Sequence, residues 1–245
     1  MKRNYDEESK NNKDRKYAYN FDYDIMHPYM LKSFEPFIKE GTALELGCFQ
    51  GAFTERIVER FHEITCVEAS GEAIDIAKER LKKYIHIHYV NSTFEEAKLQ
   101  SKYDNIFLTH VLEHIDDRVG LLKKIKEEWL SEKGVLFVAC PNANAPSRQI
   151  AVKMGLIESN ESVTAAEREH GHRVTYSMNS LESDIKKAGF DIIHKSGIFF
   201  KALANFQWDR LLDTDIITKE YLDGCYSLGQ QYPELCSSIY CVCRK

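Results

Sequence analysis

The sequence predicts a doubly wound α/β fold, with a mostly parallel seven-stranded sheet covered by helices on both faces. From Gly41 onward, short apolar runs have the length and composition of buried strands. Stretches with the apolar periodicity of amphipathic helices separate these runs. Strands that alternate with helices require right-handed crossovers, and such crossovers place helices on both faces of a parallel sheet.

Seven segments are predicted to be strands and four to be helices of this domain. The strands are TALELG (42–47), EITCVEAS (63–70), IHIHYV (85–90), NIFLTH (105–110), GVLFVAC (134–140), DIIHKSG (191–197) and SIYCVC (238–243). The helices are Gly51–Phe61, Glu72–Tyr84, Arg118–Leu130 and SLESDIKKAGF (180–190), in which Gly189 ends the helix.

The chain divides into an N-terminal segment, residues 1–40, and an α/β domain, residues 41–245. The first sixteen residues are charged without apolar periodicity and predict a solvated tail, followed by a helix at Pro28–Lys39 and aromatic residues that could form a lid. Two stretches, at about 143–177 and 199–233, interrupt the alternation. Both follow strands at the end where such sheets bind ligands, so we expect insertions that cover a substrate.

Composition narrows the class of protein. The 245 residues are 43% hydrophobic and carry a formal charge of −5, so we expect no nucleic-acid partner. No segment has the apolar length of a signal peptide or a membrane span, and we therefore expect a cytoplasmic protein with no membrane partner. The seven cysteines include no CxxC pair, which argues against disulfides and a cysteine-based zinc site. The oligomeric state remains open.

The segment LELGCFQGAFT predicts a strand, a tight glycine turn and the start of a helix, where backbone N–H groups can face a ligand. A dinucleotide site would place a glycine where this chain has Phe49, which counts against a diphosphate ligand. Glu68 ends the second strand 21 residues beyond Gly47, the interval at which a carboxylate reaches ribose hydroxyls.

With its Glu45, Gly47 and Gly51, this turn resembles the first motif of the class I S-adenosylmethionine-dependent methyltransferases, and the likeness extends over Gly41–Gly189. It implies the same fold, S-adenosylmethionine as cofactor and methyl transfer as the reaction. The residues expected to bind the cofactor are Tyr19, Glu45, Gly47, Cys48, Gly51, Glu68, Ala69, Ser70, Thr93, Phe94 and His110.

The run His110-Val-Leu-Glu-His114 matches a zinc-protease pattern, which leaves a metallohydrolase as one alternative. The strand-like NIFLTH before it instead resembles the fourth methyltransferase motif. Some relatives, including small-RNA 2′-O-methyltransferases and ubiquinone-pathway O-methyltransferases, hold a divalent ion with such residues and a later histidine. The ligands implied here are His110, Glu113, His114 and His172, for Zn, Mn, Fe or Mg. Without an ion, His110 or His172 is the expected catalytic base.

The acceptor is expected to be a small molecule that is methylated on oxygen. The layout resembles methyltransferases of small metabolites and bacterial surface sugars, with a fainter likeness to capsule-pathway enzymes that methylate a phosphoramidate. An anionic acceptor would be bound by Arg148, His170 and Arg173, because guanidinium groups suit anionic partners. A non-catalytic protein that binds adenosylmethionine is the other alternative.

Overall fold

The structure is a computed structural model that describes residues 3–13 and 15–245. Over these residues the chain forms one seven-stranded sheet in the order β3-β2-β1-β4-β5-β7-β6. The strands are β1 (Thr42–Leu46), β2 (Glu63–Glu68), β3 (Ile87–Asn91), β4 (Tyr103–Thr109), β5 (Leu130–Pro141), β6 (Asp191–Phe200) and β7 (Cys236–Arg244).

Strands β1 to β5 pair in parallel, whereas β7 runs antiparallel to both of its neighbours, β5 and β6. The predicted mostly parallel, doubly wound sheet is therefore confirmed. Because β1 lies between β2 and β4, the strand order reverses direction at β1. Open α/β sheets bind ligands outside the carboxyl ends of the strands at such a switch point.

Helices cover both faces of the sheet. The α-helices of the described residues are α1 (Tyr5–Glu8), α2 (His27–Phe34), α3 (Thr54–Ile57), α4 (Gly71–Arg80), α5 (Arg118–Lys124), α6 (Pro146–Lys153), α7 (Ala165–Glu169), α8 (Met178–Lys187), α9 (Asn205–Leu212) and α10 (Lys219–Gln231). Wider π-helical turns precede α2 at Phe21–Met26 and follow α5 at Ile125–Trp129. Short 3-10 turns occur at Glu35–Phe37, Val58–Arg60, Leu112–His114 and Pro233–Leu235.

Alternation along the central strands divides the core in two. Ile106 and Leu108 of β4 belong to a cluster with Leu122 of α5 and Leu181 of α8. Phe107, between them in sequence, points to the other face and joins a cluster with α2, α3 and Trp208. Since successive side chains of a strand face opposite sides, the continuous apolar run of β4 fills both layers.

The N-terminal segment differs from the predicted solvated tail. Arg3 donates to the backbone oxygen of His114 at 2.6 Å, and Ser70 Oγ donates to Asp6 Oδ1 at 2.6 Å. These charged residues lack apolar periodicity, yet they lie against the α/β domain because its polar groups form hydrogen bonds with them. Met1, Lys2 and Asp14 of the same predicted tail lie outside the described residues.

The predicted insertions also contain regular structure. The stretch at 143–177 holds α6 and α7, and the stretch at 199–233 holds α9 and α10. Over residues 3–13 and 15–245, the chain has no helix that is both long and apolar enough to cross a membrane.

We predict that Phe107→Ala destabilises the protein strongly. The ring is fully buried and stacks on Phe137, with centroids 4.9 Å apart and planes inclined by 10°. Removing such a side chain should cost about 3–5 kcal/mol, because a cavity remains among rings that cannot close it. Urea unfolding measures the loss. The control Ile85→Ala, at a side chain that is 94% exposed, should change stability by less than about 0.5 kcal/mol; equal losses would contradict this account of the core.

Candidate functional site

A cavity of about 320 Å³ lies at the carboxyl ends of β1, β2, β4 and β5. This volume is within the range of small-molecule sites, which is roughly 300–1,000 Å³. Residues from the N-terminal segment, from the loop before α8 and from the turn after β6 complete its walls. The cavity therefore occupies the switch point at which the fold predicts a ligand.

The glycine turn after β1 is shaped by close backbone contacts. Gly47 has a φ of 81°, and a Cβ on it would lie 2.5 Å from Val111 Cγ2. Only glycine suits this position, because the left-handed backbone and the tight contact both exclude a side chain. Gly51, predicted to bind the cofactor, does not line the cavity. Its φ of 76° turns the chain toward α3, and a Cβ there would meet Leu81 and Ala77.

Glu45 lies on the cavity floor, where it is 1% exposed. Thr54 Oγ1 donates to its Oε2 at 2.6 Å, which fixes the carboxyl beneath the turn. Burial raises the pKa of Glu45 to about 7, so the carboxyl is poised to gain charge beside a cation. Cys48, in the turn above it, also lines the cavity.

Glu68 is fixed at the end of β2 by two backbone donors. The N–H of Phe49 donates to Oε2 at 3.0 Å, and the N–H of Ser70 donates to Oε1 at 2.8 Å. Burial is the main cause of its raised pKa. Each carboxylate oxygen can accept more than one hydrogen bond, so both remain able to accept from a ligand hydroxyl.

Ala69 and Ser70 follow Glu68 along the cavity wall, and Thr93 and Phe94 line the same region from the loop after β3. Phe94 is 9% exposed and belongs to the core cluster of one sheet face. This end of the cavity offers an apolar ring and a hydroxyl beside the fixed carboxylate.

His110 occupies the tip of β4 in a left-handed conformation, with a φ of 55°. Its backbone N–H donates to the backbone oxygen of Ala139 at 2.8 Å, and its ring Nε2 lies 2.9 Å from Ser238 Oγ of β7. Burial lowers the pKa of His110 to about 4, so the ring is uncharged at neutral pH. Bulky residues rarely adopt this backbone, and such strain is concentrated at functional sites.

The HVLEH run is not one helix. It leaves β4 at His110 and forms only a short 3-10 turn at Leu112–His114. A zinc-protease motif requires a continuous helix, so this backbone contradicts the metallohydrolase alternative.

Three of the four predicted metal ligands come together. One ligand atom each from Glu113, His114 and His172 lies within 4.8 Å of the others. Glu113 is 1% exposed, and its Oε2 has no hydrogen-bond partner among the described residues. Burial raises its pKa to about 8 and lowers the pKa of His172 to about 4. His110, the fourth predicted ligand, lies outside this group and bonds to Ser238 instead.

Of the predicted acceptor-binding residues, Arg148 and His170 line the cavity and Arg173 does not. Arg148 Nη1 donates to Glu167 Oε1 at 2.8 Å, so it braces the wall. Arg173 forms a surface ion pair with Asp116 at 2.8 Å, because its backbone N–H is bound to Glu113 and its side chain turns outward. The side chain of Arg173 thus lies outside the cavity, and its expected role in binding an acceptor stays a prediction.

The N-terminal segment contributes Tyr17, one of the aromatic residues expected in a lid. Tyr17 packs on Phe49 and His170, with ring centroids 4.9 and 5.5 Å apart. Arg15, Asp22 and Lys201 also line the cavity, and the sequence patterns did not single them out. No local pattern marks these three, because their proximity depends on contacts between distant parts of the chain.

Residues predicted to bind cofactor, metal or acceptor that do line the cavity are Tyr19, Glu45, Gly47, Cys48, Glu68, Ala69, Ser70, Thr93, Phe94, His110, Glu113, His114, Arg148, His170 and His172. Gly51 and Arg173 are the predicted site residues that do not.

Known proteins resemble this chain in sequence and in fold. The sequence profile of a methyltransferase domain matches residues 16–195. Nodulation protein S of Rhizobium tropici is 35% identical over 75 residues, which are 31% of this chain and 32% of that relative. The chain thus spans about a third of that relative's length. The ubiquinone biosynthesis O-methyltransferase of Rhizobium etli is 25% identical over 175 residues, covering 71% of this chain and 68% of the relative.

Among solved structures, the N-methyltransferase NodS of Bradyrhizobium japonicum WM9, in complex with S-adenosyl-L-homocysteine, aligns with a TM-score of 0.57. The alignment covers 89% of this chain and 85% of that one at 15% identity, which establishes a shared fold. The family profile covers well over half of the chain, and the strand order and glycine turn agree with it. The chain belongs to the class I S-adenosylmethionine-dependent methyltransferases.

Proposed function

We propose that this protein transfers the methyl group of S-adenosylmethionine to an oxygen of a small-molecule acceptor. The observation that carries the proposal is the Glu68 carboxylate, held by two backbone N–H groups at the cavity wall beside the glycine turn. A carboxylate at the end of the second strand is positioned to accept hydrogen bonds from both ribose hydroxyls of a nucleoside. The neighbouring Thr93 and Phe94 would contact its base.

The residues fit this cofactor. A Cβ on Gly47 would fill the turn, so the loop admits a compact ligand against its backbone. The side chain of Phe49 occupies the position where a diphosphate would need an open backbone. Glu45 and Glu68 both line the cavity, and their carboxyls suit the cationic end and the sugar of the ligand respectively.

S-Adenosylmethionine supplies an activated methyl group when bound, and the residues of the protein hold the two reactants in place. The floor at Glu45, the fixed Glu68 and the tip of β4 hold the donor, while the β5–β7 side of the cavity remains for the acceptor. Holding the two reactants in place can lower the barrier by about 7–11 kcal/mol. His110 is neutral at pH 7 and takes the proton from the oxygen of the methyl acceptor. Its pKa of about 4 makes it a weak base, so the positioning of the two reactants contributes more to the rate.

We also propose that Glu113, His114 and His172 bind a divalent metal ion. Their ligand atoms are close together, and Glu113 Oε2 is buried without a partner among the described residues. One carboxylate and two neutral imidazoles suit Zn, Mn or Fe, and Mg less well. A bound ion would supply a positive charge that orients acceptor oxygens. His172, if no ion binds, is the second candidate base.

The names of the relatives indicate, at most, the kind of acceptor. A ubiquinone biosynthesis O-methyltransferase methylates oxygen by its name, whereas NodS is described as an N-methyltransferase. We retain a small, oxygen-bearing and anionic acceptor from surface-sugar, capsule or secondary metabolism, with phosphoramidates as one class. Incubating the protein with labelled adenosylmethionine and panels of such hydroxyl and amine acceptors would decide between them. A cytoplasmic location, which cell fractionation would test, is part of the same proposal.

We propose that the N-terminal segment, over its described residues 3–13 and 15–40, forms a lid over the cavity of the α/β domain, residues 41–245. Arg3 reaches the backbone of His114, and Tyr17 packs on Phe49 of the cofactor turn. The segments at 143–177 and 199–233 complete the cover.

Glu68 and His110 are expected to have different roles, one in binding and the other in turnover. Glu68→Ala should weaken S-adenosylhomocysteine binding by about tenfold or more, because hydrogen bonds to a charged acceptor are lost. His110→Ala should keep binding within about twofold and abolish most turnover. Calorimetry measures the binding, and Glu63→Ala, at the opposite end of β2, is the control. Unchanged affinity in Glu68→Ala would refute the ribose contact.

The metal prediction is tested by elemental analysis. After incubation with zinc or manganese and removal of excess, the protein should retain about one equivalent, since three clustered ligands can fix one ion. Glu113→Ala and His172→Ala should each lose it. His88→Ala, whose side chain is 61% exposed, should retain it. A wild-type protein free of both metals would contradict the proposed site.

The lid is tested by dissociation kinetics. Tyr17→Ala should speed the release of S-adenosylhomocysteine several-fold, because the ring covers the turn at Phe49. Stopped-flow displacement measures the rate, and Tyr232→Ala, 48% exposed and outside the cavity, is the control. Identical release rates would count against a covering role.

A further inference from the structure

Part of the cavity wall carries more cationic side chains than carboxylates. Arg15, Arg148 and Lys201 line the cavity together with the carboxylates of Glu167 and Asp22. Glu68 belongs to β2, whereas Lys201 follows β6 at the other edge of the sheet. Lys201 therefore enters the cavity from a different strand than the carboxylate proposed to bind the cofactor.

Lys201 is buried, with only 4% of its surface exposed, and two hydrogen bonds hold its side chain in place. Its Nζ donates to the oxygen of Leu203 at 2.9 Å and to Asn205 Oδ1 at 2.7 Å. An ammonium carries three donors, so these two bonds leave one donor for a ligand. Phe199, near the end of β6 and two residues before Lys201, has a φ of 64°, a left-handed conformation that bulky residues rarely adopt.

Asp22 balances Lys201 only in part. Asp22 Oδ1 already accepts from Asn205 Nδ2 at 2.8 Å, and its Oδ2 accepts from the N–H of Tyr19 at 2.9 Å. Burial chiefly lowers the pKa of Lys201, to about 8, while the charge of Asp22 opposes the shift. An ammonium in this setting is costly unless a further anion approaches it.

Arg15 adds a second cation nearby, and its charge also lowers the pKa of Lys201. The carboxylate that Arg15 contacts is shared: Glu167 Oε1 accepts from Arg15 Nη1 at 3.0 Å and from Arg148 Nη1 at 2.8 Å. Two arginines thus compete for one carboxylate. Like charges held together in a cavity repel, and an anion between them would relieve the repulsion.

His170 supplies an independent observation at the same place. Its ring lines the cavity and is 4% exposed, and its Nε2 has no hydrogen-bond partner among the described residues. Buried polar atoms are nearly always hydrogen-bonded, so an orphan atom facing a cavity indicates a ligand. Arg15 bonds to Glu167, three residues before His170, so both side chains belong to the same part of the cavity wall.

We propose that Arg15, Lys201 and His170 bind an anionic group, a carboxylate or a phosphate, that the methyl acceptor carries away from its reacting oxygen. This inference rests on the proposed methyl transfer and names the acceptor class of the same site. The anion would take the free donor of Lys201 and meet the positive charge of Arg15. A neutral analogue of the acceptor would leave the third donor of Lys201 unused and bind more weakly.

The test is calorimetry of the full-length protein saturated with S-adenosylhomocysteine, titrated separately with inorganic phosphate and with acetate. We expect saturable binding of at least one anion, and the stronger of the two identifies the group. Lys201→Met and Arg15→Gln should each weaken that binding by about tenfold, since each removes a hydrogen bond to a charged partner. Lys219→Met removes the same charge at a side chain that is 80% exposed and should leave binding unchanged.

Different results would contradict the anion site and the proposed methyl transfer. Wild-type protein that binds S-adenosylhomocysteine but neither anion, or variants that bind the anion as tightly as Lys219→Met, would overturn the anion site. The side chain of Arg15 is 38% exposed, and Glu167 keeps its ion pair with Arg148 when Arg15 is replaced. Arg15→Gln should therefore fold, and it tests the site even if Lys201→Met unfolds. Failure of wild-type protein to bind S-adenosylhomocysteine would contradict methyl transfer instead, and titration of the free protein would still decide the anion site.

Discussion

The hydrogen bonds from Phe49 and Ser70 to the Glu68 carboxylate tie together the two loops that the site depends on. One loop follows β1 and the other follows β2. Losing either donor would leave a carboxylate oxygen of Glu68 short of a hydrogen bond. The turn after β1 and the start of α4 are thus linked through one side chain.

The sheet provides the rigid base for this arrangement, and the polar segments provide its cover. The rings of Phe34, Phe107 and Phe137 fill one face at close range, which fixes the strand ends relative to one another. Above those ends, the N-terminal segment makes polar contacts, such as Arg3 with Glu8 and Arg15 with Glu167, and packs the ring of Tyr17 on Phe49. Polar contacts of this kind exchange with water at little cost, so in the proposed lid they would break before the apolar base does.

The HVLEH run shows why one pattern can support several chemistries. Its letters suit a helical zinc site, a metal-assisted methyltransferase or a simple turn at a strand end. The structure places His110 against Ser238 in a left-handed conformation and brings His172 to Glu113 and His114 instead. Residue spacing constrains neighbours on one element, whereas the approach of residue 172 depends on the loop before α8.

The sequence by itself determined the fold class, the seven strands and the position of the cofactor turn, because apolar periodicity and glycine placement act over a few residues. Glu68 is predicted by its interval of 21 residues beyond Gly47 and Glu45 by the likeness to the methyltransferase motif, and both line the cavity. Only the tertiary structure decided that Arg173 turns outward, that Gly51 supports the turn from behind, and that Lys201 and Arg15 line one cavity. These outcomes depend on packing between segments far apart in the chain, and local patterns carry no record of such contacts.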